Sequence, residues 1–159
     1  MPSHEQEITV REARDGDIET LARFNEAMAL ETEGLRLDPA TVRAGVRAVL
    51  RDPALGRYHV AERAGRVAGC LMVTYEWSDW RNALFLWIQS VYVDPAQRRG
   101  GVFTALYRHV EAIARSPGRC GLRLYMDEGN AGARKSYEAL GMRHRGYLVF
   151  ETPDPLRGE

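Results

Sequence analysis

Residues 84–93, LFLWIQSVYV, are apolar on both alternating faces, and a strand of that kind has to be covered from both sides. It is therefore read as the central strand of a sheet. Beyond it the chain turns through Val93-Asp94-Pro95 and Arg98-Arg99-Gly100-Gly101, then takes up helical spacing over 102–115, with Phe103, Leu106, Val110 and Ile113 on one side. Residues 122–126 supply the next strand, which completes a strand-helix-strand crossover.

The flanking segments narrow the architecture. Ile8 and Val10 alternate against polar neighbours over residues 7–13, a strand, and Asp15 or Gly16 can cap a helix carrying Ile18, Leu21, Ala22, Asn25, Met28 and Ala29 on one face. The segment LETEGLRLD is read as a loop. Val42, Val46, Val49 and Leu50 mark a second helix over 41–50, bracketed by Asp38-Pro39 and Asp52-Pro53. Residues 58–63, 67–77 and 84–93 form meander hairpins around Ala64-Gly65-Arg66 and SDWRN. A last helix spans 130–140 up to Gly141, a closing strand spans 147–151, and the tail TPDPLRGE is expected to fray. The fold class is α+β, or mixed α/β.

With 159 residues and 45% apolar content the chain supports one core, so a single domain over 1–159 is expected, its core at about 8–151. Lys plus Arg equals Asp plus Glu at 22 each, so no overall field selects nucleic acid or an acidic membrane as partner. Cys70 and Cys120 lie apart in apolar surroundings and read as reduced thiols. The first ten residues carry no apolar signal core, and no run reaches the ~18 residues of a membrane span. A cytoplasmic protein is the expectation.

The turn at 97–104 has the composition of a phosphate holder. Gly100 and Gly101 let the main chain approach a ligand, the helix that follows begins with unpaired N–H groups, and Arg98 and Arg99 bring two permanent cations. GxxxxGK[ST] is excluded because the turn has no lysine, and GxGxxG because its glycines are adjacent. His4, His59, His109 and His144 are too scattered for metal spacing, and Asp127-Glu128 reads as a helix cap, so no metal is expected.

Two patterns together resemble the GNAT N-acetyltransferase superfamily. The first is Gln/Arg-x-x-Gly-x-Gly/Ala after a strand ending Val-x-Pro, here Arg98-Arg99-Gly100-Gly101-Val102-Phe103, with Phe103 in place of the small residue. The second is Asn-x-x-Ala-x-x-x-Tyr-x-x-x-Gly, here Asn130, Ala133, Tyr137 and Gly141, about 30 residues downstream in the expected order. The resemblance spans roughly residues 8–151. It implies a GNAT-like acyl-CoA N-acyltransferase fold, a mostly antiparallel mixed sheet of six to seven strands flanked by about four helices, with a splayed central strand pair.

It also implies acetyl-CoA as acyl donor and direct attack by a primary amine on the thioester. The pantetheine would pair with main-chain groups among Ser90, Val91, Tyr92 and Val93. The pyrophosphate would meet N–H groups of Arg99, Gly100, Gly101, Val102, Phe103 and Thr104, with Arg98 adding charge, and Asn130, Ala133 and Tyr137 would complete the cofactor site. The N–H at Val91 would stabilise the oxyanion. Tyr137 would protonate the departing thiolate. Gln89 stands where many members carry a catalytic glutamate; it cannot take a proton at neutral pH, so it is assigned substrate positioning. Glu26, Glu31, Glu33 and Glu76 are the candidate bases and, with Trp77, the candidate substrate-binding residues; the family builds its acceptor pocket at residues 28–37 and the turn 75–80, where carboxylates beside aromatics suit a cationic amine. Trp77, Trp80 and Trp87 read equally as core or a dimer face. Small-molecule and peptide amines both fit, a homodimer is plausible, and the competing reading is a catalytically weak acyl-CoA-binding sensor or interaction module.

Overall fold

The computed structural model describes residues 7–158; the N-terminal reading of residues 1–6, His4 included, lies outside them. Five strands run in the order β1 (Ile8–Glu12), β2 (Arg57–Arg63), β3 (Arg66–Ser78), β4 (Ala83–Val93) and β5 (Arg119–Arg123), neighbours in sequence being neighbours in the sheet. The first three pairings are antiparallel and β4–β5 is parallel. Four helices accompany them: α1 (Ile18–Glu33), α2 (Pro39–Arg51), α3 (Val102–Ala114) and α4 (Ala131–Ala139). No helix among the described residues is long and apolar enough to cross a membrane.

Local chemistry explains the boundaries. Asp38 accepts from Thr41 N at 2.8 Å and so opens α2 before Pro39. The helix α1 runs four residues past the expected start of its loop, because Gly34, at φ 66°, is the first residue able to turn left-handed and return its N–H to the helix carbonyls. Leu30, Glu31, Thr32 and Glu33 are therefore helical.

The two faces of the sheet are covered differently. Tyr58, Val60, Cys70 and Tyr92 pack with Leu21 of α1 and Val46 of α2. Alternation sends His59, Ala61, Leu71 and Val73 to the opposite face, which α3 covers through buried Val102, Leu106 and Val110. Neither Cys70 nor Cys120 forms a disulfide, and burial pushes the Cys70 thiol up to about 12.

Asp17, 6% exposed, ties the start of α1 to the sheet. Burial alone would raise its carboxyl, but hydrogen bonds from the Arg11 guanidinium and the Arg14 N–H, with the charge of Arg11, hold it below its ordinary value. The stabilisation is therefore complete above the ordinary pKa of about 3.9 and is lost as pH falls through the lower folded value. Asp17→Asn should flatten this acid limb; urea unfolding at neutral and acid pH measures it, and an equal acid loss in both proteins would contradict it.

The chain from Leu124 onward is a separate compact unit and is described by itself. Among its described residues it holds α4 and no strand, so the strand expected at 147–151 is corrected: Tyr147, Leu148, Val149 and Phe150 are 61–89% exposed and without regular structure. Strand propensity is realised only against a partner edge, and this unit supplies none of its own. The fifth strand sits at 119–123, earlier than the expected 122–126, because Gly118 delivers the chain directly to Leu84 of β4. Among the described residues five strands thus stand in place of the expected six to seven. The tail, expected to fray, forms a short 3-10 turn at Pro155–Arg157 capped by Asp154.

Candidate active site

The site begins where the sheet stops being regular. Opposite Cys70 and Met72 of β3 stand Tyr92 and Gln89, so Ser90 and Val91 together oppose the single residue Leu71. This is a β-bulge, and Ser90 takes φ 52° to make it. The buried Cys70 Sγ donates to Ser90 O at 3.6 Å, and nearby in the sheet Asn25 Nδ2 of α1 donates to Tyr58 Oη at 3.0 Å. On its other edge β4 pairs with β5 only from Leu84 to Trp87. Beyond Trp87 that edge has no β5 partner among the described residues.

The chain then passes Asp94, whose carboxylate accepts from Ala96 N at 2.9 Å, and a 3-10 turn at Pro95–Gln97. Arg99 at φ 61° and Gly101 at φ 79° are both left-handed, which curls the main chain into α3. Gly101 is the N-cap of α3 and offers no side chain to its first-turn N–H groups. Sequence reasoning missed the residue that props this turn. Arg63, at the end of β2, donates to Gln97 Oε1 at 2.9 Å and to the Gly100 carbonyl, and a Cβ on Gly100 would lie 2.7 Å from its Nη1. The adjacency of this arginine to the turn arises only from strand pairing.

The two arginines of the turn differ. Arg98 Nε donates to Val93 O at 3.0 Å, its Nη2 to Glu31 Oε2 at 2.9 Å, and its guanidinium lies 5.3 Å from the Tyr92 ring centroid. Tyr92 Oη donates to the other Glu31 oxygen at 2.9 Å. Glu31, expected in an acceptor pocket, is thus a clamp between α1 and the turn, and the Arg98 hydrogen bond is the main cause that its carboxyl lies below the ordinary value. Arg99 takes part in no ion pair among the described residues. Val102 is buried, Phe103 is half-buried with its ring 6.2 Å from Tyr107, and Thr104 is exposed.

The remaining expected residues spread over several elements. Gln89 Nε2 donates to Thr74 Oγ1 at 2.8 Å across β3–β4. Glu76 pairs with Arg123, whose guanidinium lies 3.7 Å from the Phe85 ring centroid. Glu26 is half-buried with an Oε1 that accepts no hydrogen bond, Arg43 Nη1 being 4.0 Å away. Glu33 is exposed at the end of α1, and Trp77 and Trp80 are 58% and 90% exposed at the β3–β4 turn.

In the unit beginning at Leu124, Asn130 Oδ1 caps α4 by accepting from Ala133 N at 3.0 Å. Ala133 and Tyr137 are the half-buried positions of this helix, and Leu140 at its C-cap is half-buried too. Burial raises the Tyr137 phenol above its ordinary value, so it is a neutral donor throughout the physiological range.

The profile of the Acetyltransferase (GNAT) family matches residues 21–142. A possible acetyltransferase from Clostridium difficile, of known crystal structure, is 44% identical, with 92% of this chain and 97% of that one aligned at TM-score 0.86. The same fold occurs in a transcriptional regulator from Bacillus halodurans (21% identity, 93% and 100% covered, TM-score 0.80). It occurs also in a predicted acetyltransferase from Clostridium acetobutylicum solved with acetyl-CoA (16% identity, 91% and 96% covered, TM-score 0.72). No curated protein matches the sequence.

Proposed function

Because this chain belongs to the acetyltransferase (GNAT) family, whose chemistry is acyl transfer, we propose that it moves an acetyl group from acetyl-CoA to a primary amine by direct attack. What supports the donor is the continuity of an unpaired β4 edge, a bulge at Ser90 and Val91, and a left-handed Gly101 turn that leaves helix N–H groups uncapped. These features suit an extended amide chain ending in a diphosphate. The bound cofactor would supply a thioester whose acyl carbon is open to attack.

The chain's own residues take the following parts. Main-chain groups of Ser90, Val91 and Val93 hold the pantetheine, with Tyr92 contributing through its backbone, since its side chain is engaged with Glu31. The N–H groups of 99–104 hold the diphosphate, and Arg99 supplies the uncompensated charge. The N–H at Val91 stabilises charge developing on the acyl oxygen. Tyr137 donates to the leaving sulfur, and Asn130 and Ala133 set the helix that carries it. The acceptor amine, near pKa 10.4, must lose a proton at a cost of about 4–5 kcal/mol at pH 7. Gln89, held by Thr74, orients the amine or a water, and Glu26, half-buried beside Arg43, is the carboxylate assigned to its ammonium form. Glu33, Glu76 and Trp77 line the acceptor side.

Thiol release from acetyl-CoA across a panel of small and peptide amines tests the proposal. Turnover with at least one amine is expected, and release no faster than hydrolysis with every amine would sink it. The competing reading, a binding module without turnover, rests on Gln89 standing where a base is needed; it predicts thermal stabilisation by acetyl-CoA and no amine-dependent release.

A second expectation concerns Glu31, which neutralises Arg98. Glu31→Gln should tighten CoA binding about two- to fivefold at low salt, an effect that fades as ionic strength rises. Calorimetry at two salt concentrations reads it, and weaker binding would instead make the clamp a requirement for a formed turn.

A further inference from the structure

Under the last turn of α3, on the sheet face turned away from α1 and α2, lies a cavity of about 60 Å³. Leu86 and Ile113 give it apolar walls, and Arg57, His59, Tyr75 and Arg119 bring polar groups to it. It is not part of the turn at Gly101, because α3 separates Ile113 from its N-cap by roughly 18 Å at 1.5 Å per residue.

Two polar atoms around it are orphaned. His59 Nδ1 and Arg119 Nε are both buried and neither makes a hydrogen bond, although His59 as a whole is only 4% exposed. The charges do not balance either. Arg57 is paired with Glu12, but Arg119 takes part in no ion pair among the described residues. The groups facing His59 are Glu12 of β1, Arg57 of β2 and His109 of α3, the last with ring centroids 5.0 Å apart. Burial first, then His109, pushes the His59 imidazole down to about 4, so it enters this balance as a neutral ring.

The chemistry of these donors selects their ligand. An arginine Nε–H can only donate, and a buried donor without acceptor is costly. A neutral imidazole can carry its proton on Nδ1 and so become a second donor on a residue that lines this cavity. A single water needs only about 10–15 Å³, well below the space this cavity offers. We propose that this cavity is a binding site for a small oxyanion, a phosphate or carboxylate group, held by Arg119 Nε and His59 Nδ1 with the Arg57 guanidinium alongside. Its occupant ties the end of α3 to β2 and β5, away from the acyl-transfer site.

The imidazole resonances of His59, followed by NMR during titration with inorganic phosphate and separately with acetate, test this in solution. A saturable shift with either anion is expected, and the anion giving the tighter curve names the class; no shift with either overturns the proposal. Arg119→Gln should weaken the half-saturation about tenfold or more. Arg119→Lys keeps the charge without Nε–H and serves if the first variant does not fold; unchanged titrations in the folded variants overturn the assignment. Crystals soaked in selenate give the positional check. An anomalous peak within hydrogen-bond distance of both orphaned atoms is expected, and an ordered water there in its place contradicts it.

Discussion

Tyr137→Phe is expected to lower kcat about 10²- to 10³-fold while leaving CoA affinity within about twofold, the loss typical of removing one donor aimed at developing charge. A phenol of pKa about 10 facing a thiolate of about 8.5 is already uphill for full proton transfer by roughly 2 kcal/mol. Burial of Tyr137 raises the phenol further, which makes early transfer less favourable and preserves the O–H as a hydrogen-bond donor. On the proposed function, its share of the catalysis would come from stabilising the sulfur as negative charge builds, an interaction absent in the ground state. That is why kcat and not affinity should change. Thiol-release kinetics beside calorimetry measure the split; an unchanged kcat, or a parallel loss of affinity, would assign Tyr137 to packing.

The second large effect is expected at Gly69. This residue stands opposite Val93, and a Cβ built on it would lie 2.8 Å from Val102 Cγ1 and 2.9 Å from the Tyr92 carbonyl oxygen. One neighbour is the first residue of α3 and the other is the main chain next to the bulge, so neither can yield like the end of a flexible side chain. Gly69→Ala should cost about 1–3 kcal/mol of stability through overpacking. It should also weaken CoA binding about tenfold or more, because it displaces both the strand edge and the start of the turn. Urea denaturation with an unchanged m-value and a CoA titration report the two effects. A variant as stable as the parent and equally able to bind CoA would show that β3 and α3 pack more loosely there.

Much of the fold was legible because hydrophobic period is a local property. The strand at 84–93, the helix at 102–115 and the meander before them follow from alternation, helical spacing and glycine turns, and the structure places them within a few residues. Failures came where structure depends on a distant partner. Residues 147–151 have strand propensity but no edge within their own unit, and the fifth strand is placed by its parallel pairing to Leu84 and not by the apolar run that follows it. The turn itself could be read from its arginines and glycines. That Arg98 is held by Glu31, 67 positions away in sequence, and that Arg63 props Gly100, could not, because those neighbours are created by packing.

The claim on which the functional account rests is that main-chain amides of residues 99–104 grip a diphosphate. Backbone amide NMR during parallel titrations with CoA and with pantetheine, which lacks the diphosphate, tests it directly. The amides of Gly100, Gly101 and Val102 should shift saturably at one equivalent of CoA and stay in place with pantetheine, while those of Ser90 and Val91 respond to both. Amides at 99–104 that remain unmoved at saturating CoA would contradict the account.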